Sequence, residues 1–191
     1  MGVNRLCARF ANVRILKSKI IFEKHDRKVV IDTLERADGS KYEWVYFGDA
    51  KVKDNPTAVA VAAFSEDGKM LLVKEYRHPL GKLIYDLPAG GIREGESLQQ
   101  AVLRELEEET SYTAENLTWI GRFSWAPGNM AGVVELFFTR DLIAKGGFLS
   151  DEVVNIEFMD FDTVLEKVLK GEFIDSTLII AALIVKAKKL L

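Results

Sequence analysis

The chain has 191 residues, 48% of them hydrophobic and 29% charged, with a net charge of −3. A balance so near neutral excludes nucleic-acid or anionic-membrane binding through bulk charge, and a single cysteine, Cys7, excludes an internal disulfide framework. The length suits one domain, or one domain with an appendage, able to bury about 70% of its unfolded surface.

The N-terminal MGVNRLCARF shows neither a long apolar segment nor a secretory pattern. Residues 13–15 and 19–22 predict strands, His25-Asp26-Arg27 a turn, and residues 29–34 another strand. Asp38-Gly39 signals a hairpin into an aromatic strand over 42–47. A small antiparallel β unit of this kind has little core and must dock on the rest of the chain or on a second copy. Asp54-Asn55-Pro56 marks a boundary, giving an N-terminal β unit over 1–55 and a second domain over 56–191.

In the second domain, residues 57–64 and 70–75 predict strands around a turn at 65–69. Arg77-His78-Pro79-Leu80-Gly81 reads as a loop, and 83–87 as a strand. Pro88-Ala89-Gly90-Gly91 is too glycine-rich for regular structure and leads into an acidic helix. Strands follow over 117–125, 132–139 and 153–159, and helices over 161–169 and 176–190. The apolar run at 178–185 is too short to span a bilayer, so the expected location is the cytoplasm, with no membrane partner. Strands around two or three helices predict a mixed α/β sandwich.

The acidic helix carries the chemistry. Ser97 is its expected N-cap, with Gln100 in the capping-box position, and Leu98, Ala101, Val102 and Leu106 recur at core-facing spacing. Glu105 and Glu109 then share a face, with Glu108 beside them, and like charges at this spacing repel. Only Arg104 offers an i,i+4 partner, to Glu108. Taken alone, such a run fits either a solvated face or a site for a hard divalent cation. A cation held there, next to a loop whose Gly90 and Gly91 leave room for close approach, would bridge the oxygens of a phosphoanhydride and lower the pKa of a bound water.

The order of residues is informative. Gly90, five residues, Glu96, seven residues, Arg104-Glu105-Leu106, one residue, Glu108-Glu109, one residue, Ser111, Tyr112 resembles the Nudix box. The family has Gly where this chain has Ser111, the position that ends the helix. A left-handed Ser there costs about 1–2 kcal/mol locally but removes no metal-binding group. Leu87-Pro88-Ala89-Gly90-Gly91, Glu75-Tyr76-Arg77-His78-Pro79 and the proline of Ala126-Pro127-Gly128 resemble segments of ADP-ribose and nucleoside-diphosphate-sugar pyrophosphatases.

The resemblance implies an α/β/α sandwich with a mixed sheet. It implies Mg2+, with Mn2+ as a substitute, on Glu105, Glu108, Glu109 and the Ala89 carbonyl. Arg104 would orient the glutamates, and Glu96 would be structural or an outer contact to the metal. Arg77 would touch a phosphate or sugar, or else form an ion pair. Trp44, with Tyr42 or Tyr46 nearby, would stack on the base or form dimer core. Glu152, with Asp151 in reserve, would activate the water, unless a box glutamate does. Relatives with such an N-terminal unit are homodimers with shared active sites. The implied activity is hydrolysis of ADP-ribose to AMP and ribose 5-phosphate, with GDP-mannose or another nucleotide sugar as the alternative. A non-catalytic nucleotide-sugar sensor is the rival of another class. A diphosphate isomerase needs an active-site cysteine, and Cys7 lies outside the matching region. A cap or dinucleoside-polyphosphate hydrolase fits the loop segments less well. His25 and His78 lack Cys or His partners at zinc-ligand spacing.

Overall fold

The structure, a computed structural model, describes residues 13–25, 27–48, 56–147, 150 and 153–191. The chain divides into two units: residues 1–55 with 126–132, and residues 56–125 with 133–191.

The first unit is a three-stranded antiparallel sheet of β1 (Arg14–Lys24), β2 (Arg27–Glu35) and β3 (Lys41–Phe47), in that order. The hairpin forms where the dipeptide predicts it. Gly39 takes φ +80°, which costs glycine nothing, and the Asp38 carboxylate accepts the Ser40 N–H at 3.0 Å. Residues 126–132 complete this unit: the Phe47 N–H donates to the Asn129 carbonyl and the Ala131 N–H to that of Phe47, both at 2.8 Å. Every residue of β1 is exposed, including Ile15, Ile20, Ile21 and Phe22.

In the second unit, β4 (Ala58–Ala63) shows how the layers arise. Successive side chains of a strand point to opposite faces. Ala58, Ala60, Ala62 and then Phe64 join a core with Leu136, Val164, Leu165, Leu178, Ala181 and Ala182. Val59, Val61 and Ala63 join another with Ala101, Val102 and Leu106. One sheet face thus packs on helix α1 (Leu98–Thr110), the other on α2 (Phe161–Leu169) and α3 (Ser176–Lys188). This is the expected α/β/α sandwich.

The central sheet runs β7 (Ala89–Gly91), β4, β10 (Val134–Thr139), β9 (Thr118–Phe123). It is mixed, because β4 and β10 are parallel while the outer pairs are antiparallel. A second sheet has the order β12 (Val153–Asp160), β5 (Lys69–Arg77), β6 (Lys82–Asp86). The short strands β8 (Tyr112–Ala114) and β11 (Leu142–Ala144) pair with each other. Among the described residues, no helix is long and apolar enough to cross a membrane.

Two local expectations are corrected. Ala89–Gly91 is a strand, pairing with Ala58–Ala60 at the sheet edge, where cross-strand hydrogen bonds outweigh the weak strand preference of glycine. Arg77 ends strand β5, and the chain leaves it as a 3-10 turn over His78–Leu80 closed by a left-handed Gly81. The pairing of β8 with β11 joins segments too short to signal in sequence.

Candidate active site

Helix α1 starts as the sequence predicts. Ser97 accepts the Gln100 N–H while the Gln100 side chain accepts that of Ser97, a complete capping box. The helical period then places Glu105 and Glu109 on the side of Ala101, Val102 and Leu106, and both glutamates are buried. Glu108 lies off that stripe, with 43% of its side chain exposed. At the far end Ser111 is left-handed, with φ 61° and ψ 23°, and its N–H caps the Glu107 carbonyl. The helix therefore stops on a left-handed residue that carries a Cβ.

Strand β7 meets this buried face. A Cβ on Gly90 would lie 2.1 Å from Glu105 Oε1, so no other residue fits without displacing that carboxylate. The Ala89 N–H donates to Glu109 Oε2 at 3.1 Å. Loop and helix are thus joined through the two glutamates themselves.

Arg104 organises the rest. Its guanidinium donates to both oxygens of Glu96 at 2.8 and 2.9 Å, to Glu105 at 2.6 Å, to Glu108 at 3.3 Å and to the Gly91 carbonyl at 2.9 Å. Its main partner is Glu96, eight residues back, ahead of Glu108 one turn on. Arg104 and then the Arg93 N–H hold the Glu96 carboxyl down at about 2. Arg93, which no sequence signal singles out, places its guanidinium 3.1 and 3.2 Å from the oxygens of Glu108.

Glu109 behaves in the opposite sense. Burial, then the nearby Glu75, push its carboxyl up to about 9; Glu105 and Asp86 add to this, and the Ala89 N–H opposes it. Asp86 is also raised, by burial and then by Asp175, against the pull of Arg77. Carboxylates this crowded hold protons unless a cation sits among them.

Among the described residues, no three carboxylate, histidine or cysteine side chains form a ready-made cation cage. Arg104 and Arg93 hold Glu105 and Glu108 instead. The residues nevertheless fit a divalent ion. The donors are hard oxygens, Gly90 lets the backbone come up against Glu105, and burial with the neighbouring Glu75 pushes the Glu109 carboxyl up. Glu105, Glu108, Glu109 and the Ala89 carbonyl would hold it.

The other expected site residues belong to other elements or fall outside the described residues. Trp44, in the first unit, is 47% exposed, and its indole N–H donates to the Gly128 carbonyl at 2.8 Å, next to Pro127. Arg77 in the second unit lies 2.6 Å from both Glu75 and Asp86. Asp151 and Glu152 fall outside the described residues, although the Ser150 N–H before them donates to the Glu108 carbonyl at 2.9 Å.

The model of the family described as NUDIX domain matches residues 54–179. A methanol dehydrogenase activator of Bacillus methanolicus is 31% identical over 171 residues, covering 88% of this chain and 89% of that protein. An ADP-ribose pyrophosphatase of Bacillus subtilis is 36% identical over 129 residues, covering 66% of this chain and 70% of that protein. The crystal structure of an ADP compounds hydrolase superposes with a TM-score of 0.75, at 21% identity and 92% coverage of both chains. At that identity the likeness is one of fold.

Proposed function

Because the chain belongs to the NUDIX domain family, as a Nudix hydrolase of the ADP-ribose or nucleoside-diphosphate-sugar type, we propose that its substrate is ADP-ribose and its products are AMP and ribose 5-phosphate. Water adds across the phosphoanhydride, so one bridging P–O bond breaks and one new P–O bond forms. The observation that carries this reading is the pair of buried glutamates, Glu105 and Glu109, wedged against Gly90 and the Ala89 N–H. Burying two carboxylates side by side is costly unless positive charge lies against them; Arg104 donates to Glu105, while Glu109 accepts from the Ala89 N–H.

Mg2+, or Mn2+ in its place, would supply charge neutralisation of the diphosphate and a water of lowered pKa. Arg104 keeps Glu105 and Glu108 in place by pulling on both from one guanidinium, with Glu96 as its anchor. Strand β7 sets the floor, because Gly90 lets the backbone reach the carboxylates. Glu152 is the proposed base for the attacking water. Trp44 is proposed to stack on the base, its ring already oriented by the Gly128 carbonyl.

The proposed assembly is a cytoplasmic homodimer formed through the N-terminal unit. Its support is β1, whose Ile15, Leu16, Ile20, Ile21 and Phe22 are 38–52% exposed in one chain. The test is a panel of nucleotide sugars incubated with Mg2+, with products identified by mass. AMP and ribose 5-phosphate from ADP-ribose is the expected result. Faster release of GMP from GDP-mannose would move the substrate to the alternative sugar, and binding without cleavage would make the protein a sensor.

A further inference from the structure

Two arginines share Glu108, and they are mounted differently. Arg104 lies on helix α1 with 15% of its side chain exposed, and it donates to Glu96, Glu105, Glu108 and the Gly91 carbonyl. A guanidinium engaged on so many sides is fixed in place. Arg93 lies in the turn between β7 and α1, with 63% of its side chain exposed. Among the described residues its guanidinium meets only Glu108, through Nη2, 3.1 Å from Oε1 and 3.2 Å from Oε2.

Both oxygens of Glu108 thus face Arg93, and Glu108 is also one of the carboxylates proposed to hold the cation. Guanidinium and cation compete for the same two atoms. An ion pair this open to water is weak, so exchanging the arginine for a divalent ion costs little. The backbone of Arg93 has no such freedom. Its N–H donates to Glu96 Oε2 at 3.0 Å, and its carbonyl accepts the Glu96 N–H at 3.1 Å. Glu96 is in turn held by two nitrogens of Arg104. The Arg93 side chain therefore leaves from a fixed point within reach of Glu108. Once off that carboxylate, it stays beside the place where the diphosphate would meet the cation. Its planar fork of donors matches phosphate oxygens.

We propose that Arg93 is an exchangeable partner of Glu108: it competes with the divalent cation for that carboxylate, and when it gives the carboxylate up it donates to a phosphate oxygen of the diphosphate. This deepens the diphosphatase reading and rests on it. The two arginines then act on cation affinity with opposite sign. Arg104 holds two of the proposed ligands in place, so its loss weakens binding. Arg93 occupies one of them, so its loss strengthens binding.

The test is Mn2+ titration of the full chain, followed by paramagnetic resonance, alongside steady-state kinetics with ADP-ribose at saturating Mn2+. Arg93→Gln is expected to bind Mn2+ roughly 2- to 5-fold more tightly, the scale of an exposed ion pair. Its KM for ADP-ribose is expected to rise roughly 10-fold, as for a lost hydrogen bond to a charged group. Arg104→Gln is expected to bind Mn2+ roughly 10- to 100-fold more weakly. Arg93→Lys keeps the charge but not the fork; it guards against misfolding and is expected to fall between wild type and Arg93→Gln in both measurements. Mn2+ affinity equal to wild type or weaker in Arg93→Gln overturns the proposal, because Arg93 would then support Glu108 as Arg104 does. Tighter Mn2+ binding with an unchanged KM overturns it too, because the released guanidinium would then meet no phosphate. Wild-type protein that neither binds Mn2+ nor cleaves ADP-ribose sinks the diphosphatase reading and this proposal together. Wild-type binding and cleavage that the Arg93 variants leave untouched sinks this proposal alone.

Discussion

Glu109 sits on the core side of α1, with the Ala89 N–H on one oxygen and Glu75 and Glu105 close enough to raise its pKa. A carboxylate in that position has little to gain from its surroundings except through a cation. Glu109→Gln keeps the shape and the Ala89 hydrogen bond but removes the charge. Turnover is expected to fall by more than roughly 100-fold, beyond what a supporting residue costs, with an unchanged far-ultraviolet dichroism spectrum. Glu96 makes the opposite case. Its pKa is depressed from 4.5 to about 2, so its ion pair with Arg104 contributes stability above pH 4.5 and loses it as pH falls toward 2. Thermal melts of wild type and Glu96→Gln are expected to differ most near neutrality and to converge as pH drops through that window. A gap that stays constant down to pH 2 would remove Glu96 as the anchor of Arg104.

At the scale of the element, α1 is a helix with a strong start and a strained stop. The capping box at Ser97 satisfies two orphan backbone donors. At the other end Ser111 takes a left-handed conformation that glycine adopts freely. Ser111→Gly relieves the contact between Cβ and backbone but adds entropy to the unfolded chain. The expected net gain is about 0.5–1 kcal/mol in denaturant unfolding, with activity unchanged. A loss of stability would mean that the Ser111 side chain does more than cap. Both ends of this helix were legible in the residues, because caps and the helical period act within a few positions. Strand β7 was not, because its three residues hold their form only by pairing with β4, about thirty positions earlier.

At the scale of the whole molecule, the N-terminal sheet has little core of its own: all of β1 and most of β3 are exposed. β1 exposes Ile15 and Leu16 near its start and Ile20, Ile21 and Phe22 further on, with Phe22 52% exposed and Ile21 48%. Phe22→Lys places a charge in that surface and is expected to convert a dimer to a monomer in sedimentation velocity, with loss of hydrolysis. A wild-type monomer with full activity would refute the shared assembly. The sequence alone determined the family, the layering and the glutamate face of α1. Those features depend on spacing along the chain: period two in β4, period 3.6 in α1, and the fixed intervals of the box. Only the tertiary structure decided that residues 126–132 belong with the N-terminal sheet, that Arg93 reaches Glu108, and that Arg77 lies against Glu75 and Asp86. Each of these depends on strand register and packing between elements, which spacing along the chain does not encode. An arginine in a strand reads the same whether its partner is a phosphate or a carboxylate. Strand alternation and cross-strand register are what set this one beside Glu75 and Asp86.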